Sequence, residues 1–269
     1  TTALERNQKK YQLQQKQLKD SEKREKYKLY GELINVYGYN LEEGAKELLA
    51  PNFYDNNKEI RIPLDPTLSP QENSQKFFDR YGKLKRTAEA LDKLLQETKA
   101  EIDHLESIQN SLDIALSADD LVQIKQELTE YGFIKKNRSG KKEKIKSKPF
   151  HYLSSDGYDI YVGKNNYQND ELTFKFATGN DWWFHAKGMP GSHVIVKSKG
   201  EEMPDRVFEE AGMLAGFYSK GRDSDKIEID YLEKKNVKKP AGSAPGFVVY
   251  YTNYSLTIHP DISHLKLIE

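Results

Sequence analysis

The chain has 269 residues, of which 36% are hydrophobic and 31% charged, and its 42 basic side chains balance its 42 acidic ones. A formal charge of zero excludes attraction to a polyanion by the field of the whole molecule, so any such attraction must come from local clusters. The absence of cysteine excludes disulfides and thiolate metal sites, and it is compatible with a reducing cytosol. No stretch approaches the roughly 18 apolar residues of a membrane span.

Two long helices are predicted in the amino-terminal half. Residues 2–36 carry a weak heptad seam, and residues 74–116 carry a stronger one with alternating steps of three and four. The stronger seam comprises Phe77, Tyr81, Leu84, Ala88, Leu91, Leu95, Thr98, Ile102, Leu105, Gln109, Leu112 and Leu116. We predict an antiparallel coiled-coil arm, which is either a structural stalk or a lysine-bearing arm that reaches a large particle. The seams can be satisfied within one chain or between two, so the oligomeric state stays open.

A small insert is predicted between the two helices. Residues 40–49 have the pattern of a short helix that Pro51 stops, and residues 59–64 have that of a strand. Ser69 or Ser74 then caps the second long helix. Because the sequence begins inside a helix-like pattern, we also expect it to be part of a longer protein.

A basic segment separates the two halves of the sequence. Residues 135–148 contain eight basic side chains and one acidic one, a net charge of +7. Such a run is either a solvated linker or a track for a phosphate backbone, to which Lys141 and Lys142 would contribute. We therefore predict three regions, namely 1–134 (coiled coil and middle region), 135–148 (basic linker) and 149–269 (carboxy-terminal domain).

The carboxy-terminal region predicts an α+β domain with a mixed sheet. A short helix is expected after Asn169 and a longer one over 204–219. The predicted strands are 158–162, 182–185, 193–197, 226–232, 246–251 and 256–259.

The most specific pattern is a hairpin that contains both tryptophans of the chain. Alternation places Trp182 and Phe184 on one side of a strand and Trp183 and His185 on the other, while His193 lies on the partner strand. Three interpretations are open. The rings are structural core groups, the two histidines bind a metal, or the rings form a stacking surface for unpaired bases.

A second candidate site is the segment 234–246, which we call the lysine loop. It joins Lys234, Lys235, Lys238 and Lys239 to a run of small residues. Small residues let a backbone approach a phosphate closely, so the loop is either a solvated turn or an anion-binding element.

These motifs resemble those of the NFACT family. The resemblance is carried by NDELT at 169–173, DWWFH at 181–185, PGSHV at 190–194, NVKKPAGSAPG at 236–246 and IPLDPTLSPQEN at 62–73. It implies a middle region followed by an RNA-binding NFACT-R domain, with no counterpart of the amino-terminal NFACT-N domain.

The resemblance implies a role in ribosome quality control, with the large ribosomal subunit and tRNA as partners and untemplated alanine tailing of stalled chains as the outcome. The alternative is a surface adhesin for fibronectin or fibrinogen, so we expect a cytoplasmic protein that could also be displayed on the cell. We predict no enzymatic activity, cofactor, metal or membrane insertion. The residues predicted to contact nucleic acid are Asp181, Trp182, His185, Ser192, His193, Lys234, Lys235, Asn236, Lys238, Lys239, Lys141 and Lys142.

Overall fold

The computed structural model describes residues 2–135 and 144–268, so Lys141 and Lys142 lie outside the described residues. The chain divides into two compact units, Thr1–Ile102 and Asp103–Glu269. The predicted start of the basic linker at residue 135 therefore falls within the second unit.

The first unit begins with two helices rather than the single helix predicted over 2–36. Helix α1 (Thr2–Ser21) ends before Glu22 and Lys23, and α2 (Arg24–Tyr37) follows. The inner positions of α1 are polar, since Gln14 and Ser21 are its buried residues. A polar seam supplies little burial energy, so α1 is held less tightly than an apolar helix would be.

The insert is a β-hairpin, so the helix predicted over 40–49 is wrong. Strands β1 (Glu47–Asn52) and β2 (Lys58–Pro63) pair antiparallel, with Leu48 opposite Ile62. Leu48 and Ala50 are buried, whereas Leu49 between them is exposed. This period of two is that of a strand, and Pro51 is tolerated because a two-stranded sheet consists of edges.

Helix α3 (Pro70–Ile114) is the longest element. Its first turn is closed by a capping box, in which Glu72 N donates to Ser69 Oγ and Ser69 N donates to Glu72 Oε2. Six consecutive positions of the predicted seam are buried, namely Ala88, Leu91, Leu95, Thr98, Ile102 and Leu105. The pattern then changes, because Leu112 is exposed and Leu116 lies beyond the helix. The pairing of these seams in a coiled coil stays a prediction.

Helix α2 packs on the first turns of α3. The Tyr27 and Phe77 rings stack 6.1 Å apart, and Ser74 Oγ donates to the carbonyl of Gly31 at 3.0 Å. A Cβ on Gly31 would lie 2.8 Å from the Phe78 ring. The absence of a side chain at residue 31 therefore permits this approach.

Helix α4 (Ala118–Glu130) lies in the second unit and is capped as predicted. Ser117 and Asp120 form a capping box, and Gly132 ends the helix with a φ of +76°. The Asp120 carboxylate also accepts from Ser147 Oγ and pairs with Lys164 at 3.2 Å. Burial alone would raise the pKa of Asp120, but these hydrogen bonds outweigh burial and lower it.

The second unit contains a seven-stranded sheet whose described pairings are all antiparallel, so the predicted mixed sheet is wrong. The predicted strand over 246–251 is also wrong, because this segment forms only the isolated bridge between Val249 and Lys238. The strands are β3 (Phe150–Leu153), β4 (Asp159–Val162), β5 (Trp182–Ala186), β6 (Val194–Val196), β7 (Ile227–Glu233), β8 (Tyr254–Ile258) and β9 (Lys266–Leu267). Their order is β8-β7-β5-β6-β4-β3-β9, and β3 and β9 are absent from the predicted strands.

The two faces of this sheet are covered differently. We call one of them the open face. Three segments lie over it, namely helix α5 (Asn166–Glu171), the π-helical turn Leu172–Phe176 and the segment 237–250. Helix α6 (Asp205–Phe217) covers the other and buries Val207, Ala211 and Leu214 against it. Among residues 2–135 and 144–268, no helix has the length and apolarity needed to cross a bilayer.

Candidate nucleic-acid interface

The β5–β6 hairpin has the predicted alternation. Trp182 packs edge-on against Phe208 of α6 at 4.8 Å, so it lies on the helix-covered face. Trp183 lies on the open face, fully buried with Ile195 and Leu232. The two tryptophans therefore do not share one surface. Trp182 lies on the helix-covered face with its register partner Glu233, which pairs with Lys235 of the lysine loop at 2.6 Å.

The two histidines of the hairpin meet on the open face but carry no charge at neutral pH. Their ring centroids are 5.6 Å apart, and both lie within 5.6 Å of the Trp183 ring. Burial lowers the pKa of His185 to about 4 and lowers that of His193 well below its usual value. Neither imidazole thus supplies positive charge to a phosphate.

Three predicted site residues are buried, and polar partners within the chain satisfy their side chains. His193 Nδ1 lies 2.8 Å from Thr173 Oγ1, and Ser192 Oγ donates to the carbonyl of Gly163 at 2.6 Å. Asp181 pairs with Lys197 at 2.5 Å. These contacts hold the hairpin in place. The three residues therefore support the candidate RNA-binding surface from below and are not part of its exposed area.

Asp181 is a negative group with enough partners to stay ionised. Burial alone would raise the pKa of its carboxyl, but the hydrogen bond from Lys197 and the amides of Thr178 and Ser198 outweigh burial and lower it. The carbonyl of Asp181 accepts from the amide of Lys234 at 2.8 Å. Asp181 therefore joins the hairpin to the lysine loop.

The lysine loop divides into a surface part and an anchoring part. Lys235, Asn236 and Lys238 are exposed, and Lys234 is partly exposed with its Nζ 5.9 Å from the centroid of the Phe174 ring. Lys239 instead binds the Asp170 carboxylate at 2.9 Å and the carbonyl of Ala244 at 2.6 Å. The amide of Gly246 donates to the same carboxylate. Lys239 thus fastens the loop, whereas the other three lysines reach solvent, Lys235 while paired with Glu233 at 2.6 Å.

The backbone of the loop is partly committed to its own turns. The amide of Ser243 donates to the carbonyl of Pro240, and that of Phe247 donates to the carbonyl of Ala244. Since the Gly246 amide is also used, these three groups are not available to an anion. The positive charge of its exposed lysines is what the loop offers to a phosphate.

Two aromatic residues that are not among the predicted site residues lie beside lysines, one at Lys238 of the loop and one at Lys197. Lys238 Nζ lies 5.9 Å from the Tyr251 ring centroid, and Lys197 Nζ lies 4.8 Å from that of Phe176. The alternation Phe174-Lys175-Phe176 is the sequence signal that could have revealed Phe176.

A groove of about 490 Å³ adjoins the anchored end of the loop. Its lining carries both signs of charge, from Asp170, Glu171, Lys175 and Lys239, and Phe174 and Tyr167 supply apolar surface. Within the described residues, no three His, Cys, Asp or Glu side chains converge as metal ligands.

Comparison with known proteins identifies the two halves of the chain. The model of the NFACT N-terminal and middle domains matches residues 1–147, and that of the NFACT protein RNA binding domain matches residues 148–251. The chain belongs to the NFACT family. The expectation that NFACT-N has no counterpart here needs correction, because a family model that includes this domain covers the first part of the NFACT chain.

Relatives of this NFACT chain bear the name RqcH. The protein from Streptococcus pneumoniae serotype 2 (strain D39) is 39% identical over 259 residues, which cover 96% of this chain and 46% of that relative. The protein from Bacillus subtilis (strain 168) is 36% identical over 251 residues, covering 92% of this chain and 44% of the relative. The chain therefore spans about half the length of these relatives.

A solved structure has the same fold. The C-terminal part of the fibronectin/fibrinogen-binding protein from Streptococcus suis matches with a TM-score of 0.74 and 35% identity. The match covers 98% of this chain and 94% of the solved one.

Proposed function

We propose that this chain is the RNA-binding and ribosome-binding part of a cytoplasmic ribosome quality control factor. It engages large subunits that carry a stalled, tRNA-linked nascent chain, so that alanine is added without a template. The observation that carries the proposal is the coincidence of the matched RNA binding domain with Lys234 and exposed Lys238, which lie beside the Phe174 and Tyr251 rings. Relatives named RqcH at 36% and 39% identity support it.

The proposed mechanism is positional. The lysine loop binds phosphates, and the peptidyl transferase centre of the ribosome performs the chemistry. No reaction is assigned to the side chains of this chain, and no cofactor is required. Each phosphate that a lysine neutralises releases a counterion, so the affinity depends on salt.

The helical part supplies reach in this proposal. A 45-residue helix such as α3 is about 68 Å long at 1.5 Å per residue. We propose that its buried seam pairs with α1 as an antiparallel coiled coil. Tyr27 of α2, the helix that follows α1, stacks on Phe77 and so brings the preceding segment to the first turns of α3, which supports this arrangement.

Binding titrations with matched variants test the proposal. The triple substitution of Lys234, Lys235 and Lys238 by Ala should weaken binding to tRNA and to bacterial large subunits, most strongly at low salt. The control removes three lysines at the opposite end of β5 and β7, namely Lys187, Lys220 and Lys226. Both variants remove three lysines. Each set also includes a lysine that is paired with a glutamate, since Lys187 pairs with Glu228 and Lys235 pairs with Glu233. Equal affinities for both variants would refute the assigned surface.

A second candidate function is adhesion to fibronectin or fibrinogen at the cell surface. It is favoured by the name of the Streptococcus suis protein whose structure matches. Parallel titrations with the two glycoproteins distinguish the functions. Saturable binding to a glycoprotein without binding to RNA or subunits would favour adhesion, and the reverse result would favour the ribosomal role.

A further inference from the structure

Three aromatic rings form a continuous strip on the open face, next to the part covered by α5. The His151 and Tyr161 rings are stacked with centroids 4.5 Å apart and an interplanar angle of 6°, and Phe176 meets Tyr161 edge-on at 4.7 Å. We call His151, Tyr161 and Phe176 the aromatic strip.

The register of the sheet explains why the strip is accessible. His151 on β3 lies opposite Tyr161 on β4, which lies opposite Ile195 on β6, which in turn lies opposite Trp183 on β5. Ile195 and Trp183 are fully buried, whereas Phe176 is 40% exposed and the His151 side chain is 22% exposed. The strip is thus the solvent-reaching end of a row of side chains whose other end forms the core.

The rings are held in fixed orientations by polar neighbours. His151 Nε2 lies 2.7 Å from Asp159 Oδ1, and Lys197 Nζ lies 4.8 Å from the Phe176 ring centroid. Lys197 is itself paired with Asp181, whose carbonyl accepts from Lys234. A planar ligand would therefore meet rings that are already ordered, which reduces the entropy cost of binding.

Carboxylates lie beside the strip and offset its nearest lysine. Asp159 lies beside His151, and the positive charge of Lys197 is opposed by the Asp181 carboxylate. A phosphate gains little there, in contrast to the lysine loop at the other side of Asp181. An uncharged planar group suits the strip, and stacking on aromatic side chains is a sequence-tolerant way to hold an unpaired base.

We propose that the aromatic strip stacks unpaired bases of RNA whose phosphates are held by the lysine loop. The proposal rests on the proposed RNA-binding function and specifies its ligand as single-stranded RNA. Duplex RNA keeps its bases in the helix, so it binds through the lysines alone.

The test uses the full chain and two fluorescent RNA probes of equal length, an oligouridine single strand and a duplex, at low and high salt. Phe176→Ala should bind the single strand about fivefold to tenfold more weakly at both salt concentrations and bind the duplex as wild type does. Phe176→Tyr keeps a ring and should retain the affinity. His151→Ala gives a second, independent variant, and thermal melting checks the fold of each.

The matched control is Tyr254→Ala, which removes a 62% exposed ring from β8. Tyr254 stacks on Tyr231 on the helix-covered face, so its loss should leave binding unchanged. Wild-type affinity of folded Phe176→Ala and His151→Ala for the single strand would overturn the aromatic strip while leaving the RNA-binding function intact. Failure of the wild-type chain to bind either probe at low salt would overturn both proposals.

Discussion

Two imidazoles at the centre of the open face, buried His193 and half-buried His185, illustrate how packing changes the role of a residue. A histidine is often expected to contribute positive charge to an RNA-binding surface. Here desolvation keeps His185 and His193 neutral, and both rings pack on Trp183. Their effect on function is therefore indirect, through the position of the hairpin.

These histidines make stability depend on pH. In the unfolded chain a histidine has a pKa near 6.5, whereas in the folded chain the pKa of His185 is about 4. Between these values the unfolded state binds more protons than the folded state. The free energy of unfolding therefore keeps its whole contribution from His185 above pH 6.5 and decreases as the pH drops toward 4. The loss should reach at most about 1.4 kcal/mol per pH unit for each histidine.

Urea denaturation at pH ~7 and ~5 measures this loss. His185→Gln should make stability less dependent on pH than in the wild type, and His259→Gln, which replaces an exposed histidine, should not. An unchanged pH dependence in His185→Gln would contradict the assignment.

Neighbouring lysines in the lysine loop should behave differently. Lys239→Ala leaves Asp170 without its cation and frees the carbonyl of Ala244, so we expect a loss of about 1 kcal/mol in the free energy of unfolding. Lys238→Ala, which replaces an exposed side chain, should change stability by less than about 0.5 kcal/mol. Urea denaturation of both variants checks the difference, and equal losses would show that Lys239 is not an anchor.

At the scale of elements, the same substitution should have opposite effects in two helices. Gly31→Ala places a Cβ 2.8 Å from the Phe78 ring, so we expect destabilisation despite the better helix propensity of alanine. Gly82→Ala meets only Arg86 at 3.6 Å and should stabilise by about 0.5–1 kcal/mol. Thermal melting of the two variants measures both effects, and stabilisation by Gly31→Ala would contradict the observed packing.

Elements with strong local signals were predicted well. The Ser117 capping box, α6 and the alternation in β5 depend on residues close in sequence, and each is present. The helix over 40–49 failed because Leu48 and Ala50 are buried by pairing with β2, a contact that local propensity does not contain. Strand β9 has two residues and is defined only by β3, so no local pattern could reveal it.

At the scale of the whole molecule, the balanced charge makes RNA binding depend on few groups. If Lys234, Lys235 and Lys238 each contact one phosphate, log affinity should fall against log salt with a slope of about −2 to −3. Replacing all three by Ala should bring the slope close to zero, whereas the triple variant of Lys187, Lys220 and Lys226 should keep the wild-type slope. Titrations at several salt concentrations measure these slopes, and a steep slope in the first variant would place the phosphate contacts elsewhere.

The sequence by itself determined the family, the presence of long helices and the faces of the β5–β6 hairpin, because these follow from motifs and from periodicity along the chain. Only the tertiary structure decided which predicted site residues reach solvent. Trp182 packs under α6, Ser192 and His193 are buried, and Lys239 is tied to Asp170. The physical reason is that exposure depends on which distant segments cover a side chain. His151 and Phe176 lie 25 positions apart in sequence, and they share a surface because β4 places Tyr161 between them.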